Sequence, residues 1–186
     1  MKIALWLLAI QGLIGAFDTL YFHEWRARLP ARGVSTRPEL RLHALRSLIY
    51  AIIFGSLPWL AWQGAWMMVL AALLVAEIVI TLADFVVEDR VRKIFGGVYP
   101  AERVTHAIMG IIYGGMLAYL VPVMSRWWQQ PTALTVSPAP VAQALRLTLA
   151  LMAVGVLLSG VRDGWCSWER RHPACLKGVE KTSNHT

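Results

Sequence analysis

Glu39, His43 and Tyr50 recur at the same spacing as Glu102, His106 and Tyr113. Ala44 and Ile49 also match Ala107 and Ile112. On a helix, Glu and His four residues apart lie about 40° from each other around the axis, and a Tyr seven residues further on is about 20° off the His. Each copy is therefore one polar stripe on an otherwise apolar helix. An acid precedes each stripe: Asp18 stands 21 residues before Glu39, and Asp84 stands 18 before Glu102. Gln11 and Glu77 each lie seven residues before their aspartate. Carboxylates gathered in a medium of low dielectric repel one another and take up protons or cations. Mixed carboxylate and imidazole ligands suit iron or manganese, and zinc less exclusively.

The elements that must carry these stripes are membrane helices. The 186 residues are 57% hydrophobic and only 16% charged, with a mean hydropathy of +0.52. That is the composition of an integral membrane protein. Five apolar runs approach or reach the length of a bilayer crossing, at residues 3–22, 42–62, 65–87, 104–124 and 141–161. The formal charge of +7 is concentrated between the spans, so topology explains it better than nucleic-acid binding, which is excluded. Arg26, Arg28, Arg32, Arg37, Arg41 and Arg46 fall in the first connection, Arg90, Arg92, Lys93 and Arg103 in the next on that side, and Arg162, Arg170, Arg171, Lys177 and Lys181 in the tail. Lys2, Arg126 and Arg146 fall on the other side. The positive-inside rule places the N-terminus outside and the C-terminus in the cytoplasm of a bacterial-type inner membrane. Trp25, Trp165 and Trp168 at inner ends, and Trp59, Trp62, Trp66, Trp127 and Trp128 at outer ends, form the expected interfacial belt. The apolar start after Lys2 is read as a retained span leading to Asp18, not as a cleaved signal. Cys166 and Cys175, in a cytoplasmic tail, are expected to be reduced.

The fold expected is all-α: a four-helix transmembrane bundle of two repeated hairpins plus a fifth transmembrane helix. Residues 1–125 make the bundle, with repeats at about 3–62 and 65–124 related by a pseudo-two-fold along the membrane normal. Residues 126–140 form an outer loop, 141–161 the fifth span, and 162–186 a basic tail.

The two-fold brings Asp18, Glu39, His43, Asp84, Glu102 and His106 together as expected metal ligands, with Glu77, Glu88, His23 and Glu24 as secondary candidates. The pattern resembles the di-iron-carboxylate four-helix-bundle proteins, which use a Glu from each of two helices and a Glu-x-x-His from each of the others. This chain departs from that pattern with Glu-x-x-x-His and with aspartates on the other helices. The resemblance implies two divalent metal ions, iron ahead of manganese or zinc, and an oxygen-using oxidoreductase at the cytoplasmic side. A lipophilic substrate would enter from the bilayer, and a cytoplasmic donor would supply electrons at the basic face. Tyr50 and Tyr113 would be hydrogen-bonding or one-electron groups just above the site. Two other readings stay open. The polar groups could be a cation or proton relay, or they could be salt bridges of a structural subunit. In the last case Glu39 and Glu102 pair with arginines. A zinc site at Cys166, His172 and Cys175, and heme ligation by His23, His43 and His106, have weaker support.

Overall fold

Helix starts written in the sequence recur as helix starts in the computed structural model, which describes residues 1–29 and 35–168. Pro38 and Glu39 fall in the first turn of α2 (Arg37–Ser56), and Pro100 and Glu102 in the first turn of a later helix, where a missing N–H costs nothing and an acid is favoured by the dipole. Before α2, helix α1 (Lys2–Asp18) runs on without a break into a π-helical segment, Thr19–Arg26. Strand β1 (Leu60–Gln63) then leads through Gly64 into α3 (Ala65–Arg92). A turn at Gly96 and Gly97, both with positive φ, joins α3 to α4 (Pro100–Trp128). Strand β2 (Ala133–Val136) and α5 (Gln143–Trp168) complete the described chain.

The structure is all-helical apart from one small sheet. Residues 60–63, expected at the end of a span, and residues 133–136, expected in an outer loop, pair antiparallel with Leu60 opposite Val136 and Gln63 opposite Ala133. Gly64 has φ +55, and a Cβ there would lie 2.6 Å from the Thr132 Cα, so this turn admits only glycine.

Lys2–Arg26, α3, α4 and α5 are each long and apolar enough to cross a membrane. Large apolar residues such as Ile111 and Leu151 stand exposed around them, which is compatible with lipid contact. Helix α2 falls short of that standard, because Arg37, Glu39, Arg41 and Arg46 crowd its first half. Trp25, Trp165 and Trp168 are exposed at one end of the bundle and Trp66 and Trp128 at the other, whereas Trp62 is buried.

The helices pair across the repeats. Helix α1 packs on α4 and α2 on α3, the equivalence a two-fold demands, while the backbones of α1 and α2 stay apart and the two meet through side chains such as Gln11 and Tyr50. Helix α5, expected as an accessory span, packs along the whole of α2 and also touches α1. Small residues allow this close approach: Gly55 meets Ala153, and Gly164 meets Ala44. Leu5, Leu8, Ile53, Leu70, Met116, Leu120 and Leu149 fill the core on the β-sheet side. All the buried acids of the stripes lie toward the opposite end.

Cys166 is disulfide-bonded, against the expectation of a reduced thiol. His172, Cys175 and the basic residues Arg170, Arg171, Lys177 and Lys181 lie outside the described residues, as does Arg32.

A Cβ added at Gly160 would stand 2.6 Å from the Ser47 Cβ. Gly160→Val should therefore force α5 off α2 and destabilise the protein by about 1–3 kcal/mol. Gly155→Ala, with open space around its Cβ, should be neutral or stabilising. Thermal unfolding in detergent distinguishes these outcomes, and equal melting temperatures for the two variants would contradict the packing described.

Candidate metal centre

Arg92, only 2% exposed, stands at the centre of the polar end of the bundle. Its Nη2 lies 2.6 Å from Glu39 Oε1 and 3.1 Å from Glu88 Oε1, and its Nη1 lies 2.9 Å from Glu102 Oε1. One guanidinium thus joins α2, α3 and α4. Sequence reasoning counted Arg92 only as a topological charge. The signal was present, because Asp84, Glu88 and Arg92 recur every four residues and share one face of α3.

On either side of Arg92 lie two related half-sites. In one, His43 Nε2 is 3.2 Å from Asp84 Oδ2, and Arg46 Nη1 is also 3.2 Å from that oxygen. In the other, His106 Nε2 is 3.3 Å from Asp18 Oδ2. Each aspartate therefore meets the histidine of the other repeat. The halves differ at a matched position that bears charge, since Arg46 of the first stripe corresponds to Met109 of the second. Among the described residues, the Asp84 half has a guanidinium within 3.2 Å of its aspartate, and no guanidinium forms an ion pair with Asp18.

The π-helical segment adds a further ligand to the second half. Five residues of α-helix would turn His23 about 140° from Asp18. The wider π turn brings residues five apart onto one face. His23 Nε2 accordingly lies 3.3 Å from Asp18 Oδ2 and 3.2 Å from Glu102 Oε1, and its ring stacks on His43 at 4.6 Å. His106 Nδ1 is 3.6 Å from Glu88 Oε2. His23, Glu88, Glu102 and His106 each offer a ligand atom, all within 4.8 Å of one another and all buried. Two of these were expected as primary ligands and two as secondary candidates.

The remaining expected residues fall elsewhere. Glu39 is held by Arg92. Glu24 turns outward to an ion pair with Arg162, which also binds Asp163. Glu77 lies deeper in the bundle, where its Oε1 accepts hydrogen bonds from Tyr50 (2.9 Å) and Thr81 (2.9 Å). Tyr113 donates to the Leu74 carbonyl, and its ring stands 6.5 Å from that of Tyr50. Both tyrosines thus lie further into the bundle than the histidines and are hydrogen-bonded to Glu77 and to the Leu74 carbonyl.

Charge decides what this arrangement can hold. Asp18, Glu39, Glu77, Asp84, Glu88 and Glu102 are all buried, and Arg46 and Arg92 are the guanidinium groups among them. Were all six ionised, six negative charges against two positive ones would leave four uncompensated while the imidazoles are neutral. Asp18 Oδ1, Glu39 Oε2 and Asp84 Oδ1 are buried with no hydrogen-bond partner. Leaving charged oxygens in that state is costly, so protons or cations belong here. Two imidazoles and two carboxylates within a few ångströms form a donor set for a first-row divalent ion.

Removing Arg92 alone leaves three carboxylates facing one another. Arg92→Leu should destabilise the protein by about 3–5 kcal/mol. Arg92→Lys, which keeps the charge without the fork, should fall between the variant and the parent. Thermal unfolding in detergent is the measurement, and an unchanged midpoint for Arg92→Leu would show that the guanidinium does not hold these helices.

Against this geometry, comparison with known proteins returns no match: no protein-family model, no curated protein and no solved structure resembles the chain.

Proposed function

We propose that this is a membrane metalloprotein that binds a redox-active divalent ion between His23, Glu88, Glu102 and His106, and uses it as an oxidoreductase on a lipophilic substrate. The observation that carries the reading is the convergence of these four buried ligands beside the partnerless oxygen of Asp18. Iron is the preferred ion, ahead of manganese and zinc, because the donors mix imidazole nitrogen with carboxylate oxygen and include no thiolate. Such an ion supplies the one-electron chemistry that side chains lack. The chain's own residues would fix its position, exclude water and hold neighbouring protons.

The expectation of two ions narrows to one on charge grounds. The Asp84 half is neutralised by Arg46, and Arg92 holds Glu39 while also pairing with Glu88 and Glu102. A second ion at Glu39 and Asp84 would have to displace both guanidinium groups, whereas the first competes with Arg92 alone. By this reading the centre lies at the cytoplasmic ends of the spans, α2 crosses with the others, and an electron donor docks on the basic face. The disulfide at Cys166 stands against a cytoplasmic tail. Thiol alkylation in intact cells followed by mass spectrometry tests the orientation. Alkylation of Cys166 before any reduction would support the cytoplasmic placement, and a Cys166 that stays blocked, as the disulfide implies, would support the opposite orientation.

A structural reading has one specific observation in its favour. Glu39 and Glu102 both pair with an arginine, as helix-packing salt bridges would.

Elemental mass spectrometry of the detergent-purified protein separates the two readings. About one iron or manganese ion per chain is expected, lost in His106→Ala and in Glu88→Ala, since outer-shell changes alone cost about 10–100-fold in affinity and ligand loss costs more. Glu24→Ala, which removes only the Arg162 pair, should keep the ion. Wild-type protein without stoichiometric metal would leave the structural reading in its place.

A further inference from the structure

Above the centre, the five helices enclose a cavity of about 640 Å³. Asp18, Arg46 and His106 line it near the centre, and Gln11, Tyr50 and Glu77 line it further in. Its volume is that of a pocket for one medium-sized organic molecule. Gly110, Gly114 and Gly155 are also in its wall, and a Cβ on any of them would meet nothing within 4 Å. Glycine weakens a helix interior and is commonly retained where another backbone approaches closely. A side chain at any of these three would project into space that the described residues leave open.

A second observation says what fills it. Gln11 is only 8% exposed, and its Oε1 has no partner. The Tyr50 hydroxyl has a single proton, which it donates to Glu77, so it can only accept from Gln11 Nε2 at 3.3 Å. That fixes the amide with its oxygen free. A buried acceptor left unpaired is unfavourable, and a ligand's donor would satisfy it. The donor is not anionic, because Asp18 and Glu77 repel an anionic head, and one neutral hydroxyl is the smallest group that satisfies the Gln11 oxygen. Entry is lateral: α3 and α4 touch only slightly, and exposed Ile78, Leu82 and Phe85 of α3 line the cavity together with Gly110 and Gly114 of α4.

We infer that the cavity binds a long-chain lipophile bearing one neutral hydroxyl, recognised by Gln11 beside Glu77, with its carbon chain reaching toward His106 and Asp18. Gln11 and Asp18 are separated by seven residues, about 10 Å along a helix. The chain, not the hydroxyl-bearing carbon, therefore lies nearest the centre. The ligand's role as substrate rests on the metal reading, but its binding does not.

Photo-crosslinking in lipid nanodiscs, with metal removed by chelation, tests the binding. The probes are hexadecanol carrying a diazirine in its chain and the methyl ether of the same molecule. The alcohol should label Met109, Leu117 and Met152 saturably, with affinity about tenfold above that of the ether, the worth of one good hydrogen bond. Gln11→Leu should abolish that preference. Gly114→Phe should abolish labelling of the cavity without lowering the melting temperature. Equal labelling by alcohol and ether, or labelling confined to lipid-facing Ile111 and Leu151, would overturn the proposal. Metal content is read separately. Cavity labelling in a protein that never holds metal would sink the metalloprotein reading alone, and metal without labelling would sink this one alone.

Discussion

A guanidinium enclosed by three carboxylates in a protein interior must be kept there by something stronger than its own solvation, and Arg92 meets that condition through Glu39, Glu88 and Glu102. Each acid comes from a different helix, so the positive charge is the common partner of elements that apolar packing holds together mainly at the other end. Desolvating so many charges is expensive, and only their mutual pairing offsets it. The pairing is also incomplete, since carboxylate oxygens remain without partners. The candidate centre follows from this excess of negative charge.

The internal repeat explains how such a cluster could arise, and two small changes explain why its halves are unequal. Arg46 against Met109 gives one half a built-in cation. The π-helical segment of the first repeat rotates His23 inward, whereas the corresponding stretch of α3 is plain α-helix and presents Glu88. A nearly symmetric scaffold therefore gathers His23 and Glu88 in one cluster with Glu102 and His106, and leaves His43, Asp84 and Arg46 on the other side.

Much of this was legible in the sequence. That the acids and histidines share helical faces was legible, because spacings of four and seven residues fix those faces, and a polar stripe has to turn inward from an apolar surface. Which aspartate meets which histidine was not legible. The helix starts at Pro38 and Pro100 were legible for a similarly local reason. Three features were not. The π turn is set by tertiary packing, and α-helical arithmetic sends His23 the wrong way. Arg92 and Arg46 look like any basic residue near a membrane surface, although their register places them on the polar stripes. The β1–β2 pairing joins segments some seventy residues apart, and four-residue strands rich in Trp, Leu and Thr look the same as span ends or loops.

That strand pair has a mechanical consequence. Backbone hydrogen bonds between residues 60–63 and 133–136 fasten the helix ends farthest from the charges, and those bonds do not depend on protonation or on bound ions. The other ends are fastened by charge. The bundle is thus built like forceps: it has a fixed pivot and tips whose grip is electrostatic. A change in the charge carried at the tips would therefore alter the grip there and leave the strand pair untouched.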